Sequence, residues 1–351
     1  MGTRSLATWL AWLEQQHPSS EIDLGLTRIA EVAGRLELDG PSGQVVTIAG
    51  TNGKGSCAAT LETLLLAAGK SVGVFTSPHF NHYCERIRLD GSNAAEADIC
   101  AAFAAIDKAR GDIKLTYFEF GALAALHVFK QHNVEVLVLE VGLGGRLDAV
   151  NIIDADVAVI TSIDIDHVEW LGDDRELIGR EKAGIMRSAK PAICADEQAP
   201  ASIKRVAEEC GAVLLQCGRD WRFEITEGDA WIWQANNDAA EDEATKRYFP
   251  HLPNLPMPSV AAALQAFFQL GFALPNSETL AELIDRTALV GRFQRLDRWG
   301  RLFVLDVAHN PAAARLLAKR MLAAQQNADS QGPISIVVGM MADKDRRASL
   351  S

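Results

Sequence analysis

Val45-Val46-Thr47-Ile48-Ala49-Gly50-Thr51-Asn52-Gly53-Lys54-Gly55-Ser56 is the stretch from which the rest of this chain is read. Five apolar or β-branched residues, a strand signature, run into three glycines, a lysine and a serine. The segment after it, Cys57 to Ala68, is helical in composition and stops at Gly69. Strand, glycine-rich turn and helix together make a phosphate cradle, because exposed backbone N–H groups and the positive helix end meet the anion. Glycines permit positive φ and close backbone approach, Lys54 adds a mobile point charge, and Ser56 is placed to support Mg²⁺. The pattern departs from the general G-x-x-x-x-G-K-[ST]. Ile48 stands where the first glycine belongs, and Gly55 separates Lys54 from Ser56. The chain therefore carries a variant phosphate loop.

Outward from the loop, apolar spacing predicts helices over 5–16 and 22–38, then a turn at Asp39-Gly40-Pro41-Ser42-Gly43. Beyond the loop helix, Ser71 to Thr76 reads as a strand leading into Ser77-Pro78-His79, and helices are expected over 94–110 and 117–131. Val134 to Val141 is an almost continuous apolar strand, typical of one buried on both faces, and it delivers Glu140 to its end. Val157 to Ile163 is another, ending in Asp164-Ile165-Asp166-His167. Helix 174–186, strand 191–195, helix 200–210 and strand 212–216 continue the alternation. Such a pattern is a doubly wound parallel α/β sheet, in which ligands bind at the carboxyl ends of the strands. Ser77, Glu140 and His167 fall at such ends.

Residues 221–233 read as a β-hairpin on the sheet's flank, 236–258 as an irregular acidic and proline-rich segment, and 259–270 and 278–288 as helices. A new unit is expected from Val290-Gly291-Arg292, with strand 302–307, helix 312–325 and strand 334–338. The expected division is a central domain over 1–290 and a smaller, incomplete α/β domain over 291–351.

The formal net charge of −12 argues against a nucleic-acid-binding surface, which needs clustered lysine and arginine. Six cysteines without a C-x-x-C pair suit reduced thiols in a cytoplasmic protein rather than a disulfide frame or zinc site. The N-terminal stretch with Trp9, Leu10 and Leu13 is amphipathic and lacks a signal peptide's apolar run; nothing approaches the ~20 apolar residues of a membrane span.

With these pieces placed, the chain resembles the dihydrofolate synthase/folylpolyglutamate synthase family of the Mur ligase superfamily, from Ile22-Asp23-Leu24-Gly25-Leu26-Thr27-Arg28-Ile29 onward. The resemblance rests on Gly50 to Ser56, Ser77-Pro78-His79, Leu115-Thr116-Tyr117-Phe118-Glu119, Glu140 to Ala149, Arg180-Glu181-Lys182-Ala183-Gly184-Ile185 and Asp306-Val307-Ala308-His309-Asn310-Pro311. It implies an ATP- and Mg²⁺-dependent ligase that joins L-glutamate to dihydropteroate and to folates through an acyl phosphate, acting as a monomer. It also implies roles for residues. Gly50, Thr51, Asn52, Gly53, Lys54, Gly55 and Ser56 would cradle the phosphates; Ser77, Glu140 and His167 would hold magnesium. Thr116, Phe118, Asp148 and Ala149 would contact the pterin substrate. Lys182 matches a lysine that many Mur-type ligases carry carbamylated, and Arg292, Asp306 and His309 would reach ATP from the second domain. Lys54, Lys182, Asp148 and His167 are the expected catalytic set. From the residues alone, His167 also fits a cap, Phe118 core packing, Asp148 a loop N-cap, and Asp306 to Pro311 a plain strand-to-helix turn.

Two departures stand out. The family's Pro-Asn-Ala-Ala segment, whose amide meets adenine, reads here Pro258-Ser259-Val260-Ala261. A hydroxyl makes fewer simultaneous bonds than an amide, so Ser259→Asn is expected to tighten ATP binding, measured as nucleotide affinity against the parent chain. The second departure is length: the family's C-terminal domain exceeds a hundred residues, whereas Arg292 to Ser351 is much shorter. An incomplete, inactive remnant that binds nucleotide or pterin is therefore an alternative expectation. A cell-wall Mur-type ligase is another, disfavoured by the Gly53-Lys54-Gly55-Ser56 variant and the Leu115-to-Glu119 motif.

Overall fold

A computed structural model describes residues 4–18, 23–226, 228–236, 245–326, 334–340, 347 and 349. The chain divides after Thr287 into two compact units, Met1–Thr287 and Ala288–Ser351.

The first unit is built on eight strands: β1 (Gln44–Ala49), β2 (Val72–Phe75), β3 (Ile87–Leu89), β4 (Ser92–Asn93), β5 (Val136–Glu140), β6 (Val157–Ile160), β7 (Pro191–Cys194) and β8 (Val213–Gln216). They lie in the order β4-β3-β2-β5-β1-β6-β7-β8, parallel from β2 to β8, with β3 and β4 added antiparallel at one edge. That edge hairpin was not legible in the sequence, since Ile87-Arg88-Leu89 is too short to show a period. The central strands are apolar on both faces because helices cover both. Val45, Ala49, Leu137, Leu139 and Ile160 join the core formed with α1 (Leu6–Gln16), α2 (Thr27–Arg35), α4 (Glu96–Arg110) and α5 (Tyr117–Gln131). Their alternates Val46, Ile48, Val138 and Val159 are equally buried, on the side where α3 (Lys54–Ala67) and α9 (Met257–Gln269) pack together. Beyond β6 come α6 (Val168–Leu171), α7 (Arg175–Ala183) and α8 (Ala201–Cys210); α10 (Ser277–Arg286) follows α9.

Register is what matters for function. Ile48 lies opposite Glu140, and Ala49 opposite Ile160, so β5, β1 and β6 end level. The chain leaves β1 for β2 on one side and later places β6 on the other. That reversal opens a crevice at the carboxyl ends of β1, β5 and β6.

The flank holds three strands rather than two: β9 (Arg222–Ile225), β10 (Trp231–Gln234) and β11 (Lys246–Phe249), all antiparallel. The expected irregular stretch 236–258 thus contains a strand, whose Phe249 stacks on Trp231 at 4.0 Å. Residues 237–244 lie outside the described residues, as does Ile22; the expected second helix begins only at Thr27.

In the second unit, β12 (Gln294–Arg298) and β13 (Arg301–Leu305) form a hairpin turned by Trp299 and Gly300, both at positive φ. Helix α11 (Pro311–Gln326) follows, with Asn310 Oδ1 accepting from Ala313 N at 2.9 Å as its cap. The expected strand 334–338 is corrected: among the described residues, 334–340 takes no strand ladder, which an apolar run needs before it becomes one. No helix among the described residues is long and apolar enough to cross a membrane.

Candidate functional site

The phosphate loop joins β1 to α3 as the sequence predicts. Gly53 is at φ 88° and begins the helix with no capping side chain, so the helix start is left to a ligand. The loop rests on residues that follow β6. Thr51 N donates to Ser162 O at 2.8 Å, Asn52 N to Ser162 Oγ at 3.0 Å, and Thr161 Oγ1 donates to Asn52 O at 2.7 Å. A Cβ on Gly50 would overlap the Thr161 hydroxyl, and one on Gly53 the hydroxyl of Ser259 in α9. Thr161 and Ser162 were missed in the sequence; their only signal was a place at the carboxyl end of a buried strand. Ser259, expected at adenine, lies here against the loop itself.

Lys54 Nζ folds back to donate to Gly50 O at 3.0 Å. The Ser56 hydroxyl is buried and has no hydrogen-bond partner, an expensive state for a polar atom unless a ligand completes it. Nearby, Glu140 ends β5 at 5% exposure, and its Oε2 accepts from Ser77 N at 3.2 Å. The carboxylate lies 3.7 Å from where a Gly55 Cβ would be. Its charge, after burial itself, pushes the Cys57 thiol up. A buried carboxylate beside an unpartnered hydroxyl at a phosphate loop suits a hard cation.

His167 is placed differently. It is exposed, at φ 53°, and heads the short helix α6, with its N–H donating to Asp166 Oδ1 at 2.9 Å. Thr51 links its segment to the loop: Oγ1 donates to Asp164 O and accepts from Asp164 N, both at 3.0 Å. Among the described residues, no three His, Cys, Asp or Glu side chains converge as a metal cluster. The donor set fits an ion whose shell is completed largely by phosphate oxygens and water, as Mg²⁺ prefers.

Lys182, in the last turn of α7, is 3% exposed. Burial first, and the Lys54 charge second, bring its ammonium down from 10.5 to about 7, against a smaller opposing pull from Asp166. Its amine is thus partly neutral near neutral pH, and it lies within electrostatic reach of the phosphate-loop lysine.

The other candidate residues gather on two loops. Asp148 is 3% exposed and ties the turn after β5: Oδ2 accepts from Gly142 N and Leu143 N at 2.9 Å each, and Oδ1 from Val150 N at 3.1 Å. Burial raises its carboxyl from 3.8 to about 6 in spite of these donors and the Lys54 charge. It also caps the 3₁₀ turn Ala149–Ile152, where Ala149 is buried. Thr116 caps α5 in a reciprocal box with Glu119: Oγ1 accepts from Glu119 N at 3.1 Å, and Glu119 Oε2 accepts from Thr116 N at 2.7 Å. Phe118, half-buried, lies against Gly142, where a Cβ would come within 2.7 Å of its ring, and 5.6 Å from the Phe75 ring. Thus Phe118 meets the Gly142-to-Ala149 turn at Gly142, two residues after the cap residue Thr116.

In the second unit, Asp306 accepts from Phe293 N at 2.8 Å and Ala308 N at 2.9 Å, His309 Nδ1 lies 2.8 Å from Val307 O, and Arg292 N donates to Leu289 O at 3.3 Å. These contacts shape the turn before α11.

Comparison with known proteins bears on the family and the fold. The Mur ligase middle domain matches residues 48–249. The dihydrofolate synthase/folylpolyglutamate synthase of Escherichia coli (strain K12) is 49% identical over 346 residues, covering 99% of this chain and 78% of the relative. That of Haemophilus influenzae is 40% identical, covering 98% and 79%. Among solved structures, E. coli FolC in complex with DHPP and ADP superposes with a TM-score of 0.90 at 46% identity, covering 99% of this chain and 80% of that one. A bifunctional folylpolyglutamate synthase/dihydrofolate synthase with Mn, AMPPNP and L-glutamate bound gives 0.88 at 45% identity, covering 99% and 80%. Both the domain match and the shared identity place this chain in the dihydrofolate synthase/folylpolyglutamate synthase family, built on the Mur ligase middle domain.

Proposed function

We infer that this chain is an ATP- and Mg²⁺-dependent ligase that joins L-glutamate to dihydropteroate, giving dihydrofolate, and to folates. The observation that carries the reading is the phosphate loop at the carboxyl ends of β1, β5 and β6, where Lys54, the orphaned Ser56 hydroxyl and Glu140 lie at a helix start without a side-chain cap, and the depressed Lys182 feels the Lys54 charge.

A carboxylate is a poor electrophile. In the first step its oxygen attacks the γ-phosphorus of ATP; a new P–O bond forms and ADP leaves with the electrons of the old one. The glutamate amine, in its neutral form, then attacks the acyl carbon, phosphate departs, and the amine sheds a proton as the amide forms. The first step drives two anions together, so its barrier is electrostatic. Lys54 and the N–H groups of α3 oppose that repulsion, while Gly50 and Gly53 let the backbone come close. Ser56, Ser77, Glu140 and His167 are the residues that would hold magnesium, which when bound supplies positive charge to the phosphate oxygens. Phe118 offers a ring face to the pterin, beside Thr116 and the Asp148-Ala149 turn.

Lys182 fits carbamylation, in which the neutral amine takes up CO₂ and loses a proton, turning a cation that Lys54 repels into an anion that Lys54 attracts. Mass spectrometry of the native protein is expected to show one added CO₂ that Lys182→Ala lacks, with turnover in that variant down about 10–100-fold. In the unmodified protein, the depressed amine makes the fold more stable as pH rises from about 7 toward 10.5, because the unfolded chain keeps the proton longer. Lys182→Met is expected to flatten that part of the stability–pH curve.

The function is tested by ADP release from the purified chain with ATP, Mg²⁺, dihydropteroate and glutamate, alongside the product mass. Glutamate-dependent release with dihydrofolate formed is the expected result. Nucleotide binding without turnover would replace the ligase reading with that of a binding remnant.

A further inference from the structure

Arg28 has no part in the phosphate chemistry, yet its guanidinium is the most heavily used at the other end of the site. Its Nε approaches the Glu119 carboxylate at 2.8 Å, where Glu119 is 3% exposed. Its Nη1 lies 2.7 Å from Asp23 Oδ2, and its Nη2 donates to the Asp23 carbonyl. One rigid fork therefore ties the irregular stretch Asp23–Leu26 to the start of α5. The N-cap of α2, Leu26, makes no side-chain cap hydrogen bond.

We propose that Arg28 is the positioning residue of the pterin end, holding Glu119 and through it Thr116 and Phe118 in register with the Gly142-to-Ala149 turn. The proposal rests on the reading that Thr116 and Phe118 receive the pterin substrate. The coupling is short. Glu119 is at once the acceptor for Arg28 and the reciprocal partner of Thr116 in the helix cap. Without the guanidinium, a buried carboxylate keeps no cation from α2 and turns toward water. That turn loosens the cap, and the Thr116 hydroxyl and the Phe118 ring move with it. The same fork fixes Asp23–Leu26, so loop and helix start are set by one side chain.

Three variants separate this from simple scaffolding: Arg28→Met, Glu119→Gln and the double Arg28→Met/Glu119→Gln. Glutamine can still reach the Thr116 N–H, so Glu119→Gln breaks the ion pair, and the double variant strands no buried charge, Asp23 being exposed, and should fold as the parent does. The readouts are KM for dihydropteroate, KM for ATP, kcat and the melting temperature. Each single variant is expected to raise KM for dihydropteroate about tenfold, the loss of one charge-assisted contact. KM for ATP and kcat should stay within about twofold, and the double should be no worse than the worse single, because both act through one link. Arg28→Lys, which keeps charge but not the fork, should fall between Arg28→Met and the parent. An unchanged KM for dihydropteroate in the folded double variant would overturn the proposal, as would equal losses in both KM values and kcat. Thr116→Val and Phe118→Ala distinguish the two levels. If they raise KM for dihydropteroate and Arg28→Met does not, only the proposal falls. If they leave it unchanged, the substrate placement falls and takes the proposal with it.

Discussion

Lys54→Met lowers kcat for ADP release by about a thousandfold, the scale for losing one preorganised electrostatic contact to a developing charge, while the melting temperature barely moves. The stability half follows from the side chain's surroundings: its one described hydrogen bond is to Gly50 O, within its own loop, and methionine keeps the stem. The catalytic half follows from its charge. Lys54 acts on two titratable groups of the site, pulling the Asp148 carboxyl down and pushing the Lys182 ammonium down. It is the cation around which the site's charges are balanced. Its removal leaves the incoming carboxylate and the triphosphate with less to offset their repulsion, and it lets Lys182 rise toward its ordinary value, where less amine is neutral. A variant with normal turnover would move the phosphate chemistry elsewhere. Titration of Lys182 by isotope-edited NMR supplies the second check, with an upward shift expected.

Gly53→Ala should be strongly damaging. Two costs add. The residue is at φ 88°, where a side chain is strained by about 1–3 kcal/mol, and the new carbon overlaps the Ser259 hydroxyl. Together they predict a stability loss of about 3 kcal/mol in urea unfolding and loss of measurable ATP binding, since the loop cannot keep its shape. The two costs are separable. In Gly53→Ala/Ser259→Ala the oxygen is gone and the nearest Ser259 atom, Cβ at 3.5 Å, is an ordinary neighbour. The double variant should therefore recover part of the stability but little ATP affinity, because the backbone strain remains. Equal losses in single and double variants would mean that α9 is no floor to the loop.

The fold was readable where a pattern is local. Val45 to Ser56 shows strand, turn and helix within twelve residues, and Val136 to Leu139 is apolar throughout because both faces are covered. The polar residues at strand ends, Ser77 and Glu140, do come together, since parallel strands with aligned registers must end level. What stayed hidden depends on partners distant in sequence. Thr161 and Ser162 look like ordinary strand-end residues until β6 is laid beside β1. The β3–β4 hairpin and β11 are too short to carry a period and exist because a neighbouring edge accepts them. Arg28 falls inside the helix expected over 22–38, with nothing local to name its partner; only the fold brings it to Glu119, 91 residues on.

The floor beneath the phosphate loop has a temporal side. Gly53 leaves the ribosome roughly two hundred residues ahead of Ser259, which at 5–20 residues per second is about 10–40 s. During that interval the glycine-rich turn exists without the helix that closes it from below. A nascent chain stopped short of α9 should therefore fail to be retained on immobilised nucleotide, whereas one extended through Gln269 should be. Nucleotide retention then reports not on the loop's synthesis but on the arrival of its last support, and ATP in the cell favours the finished unit over every shorter intermediate.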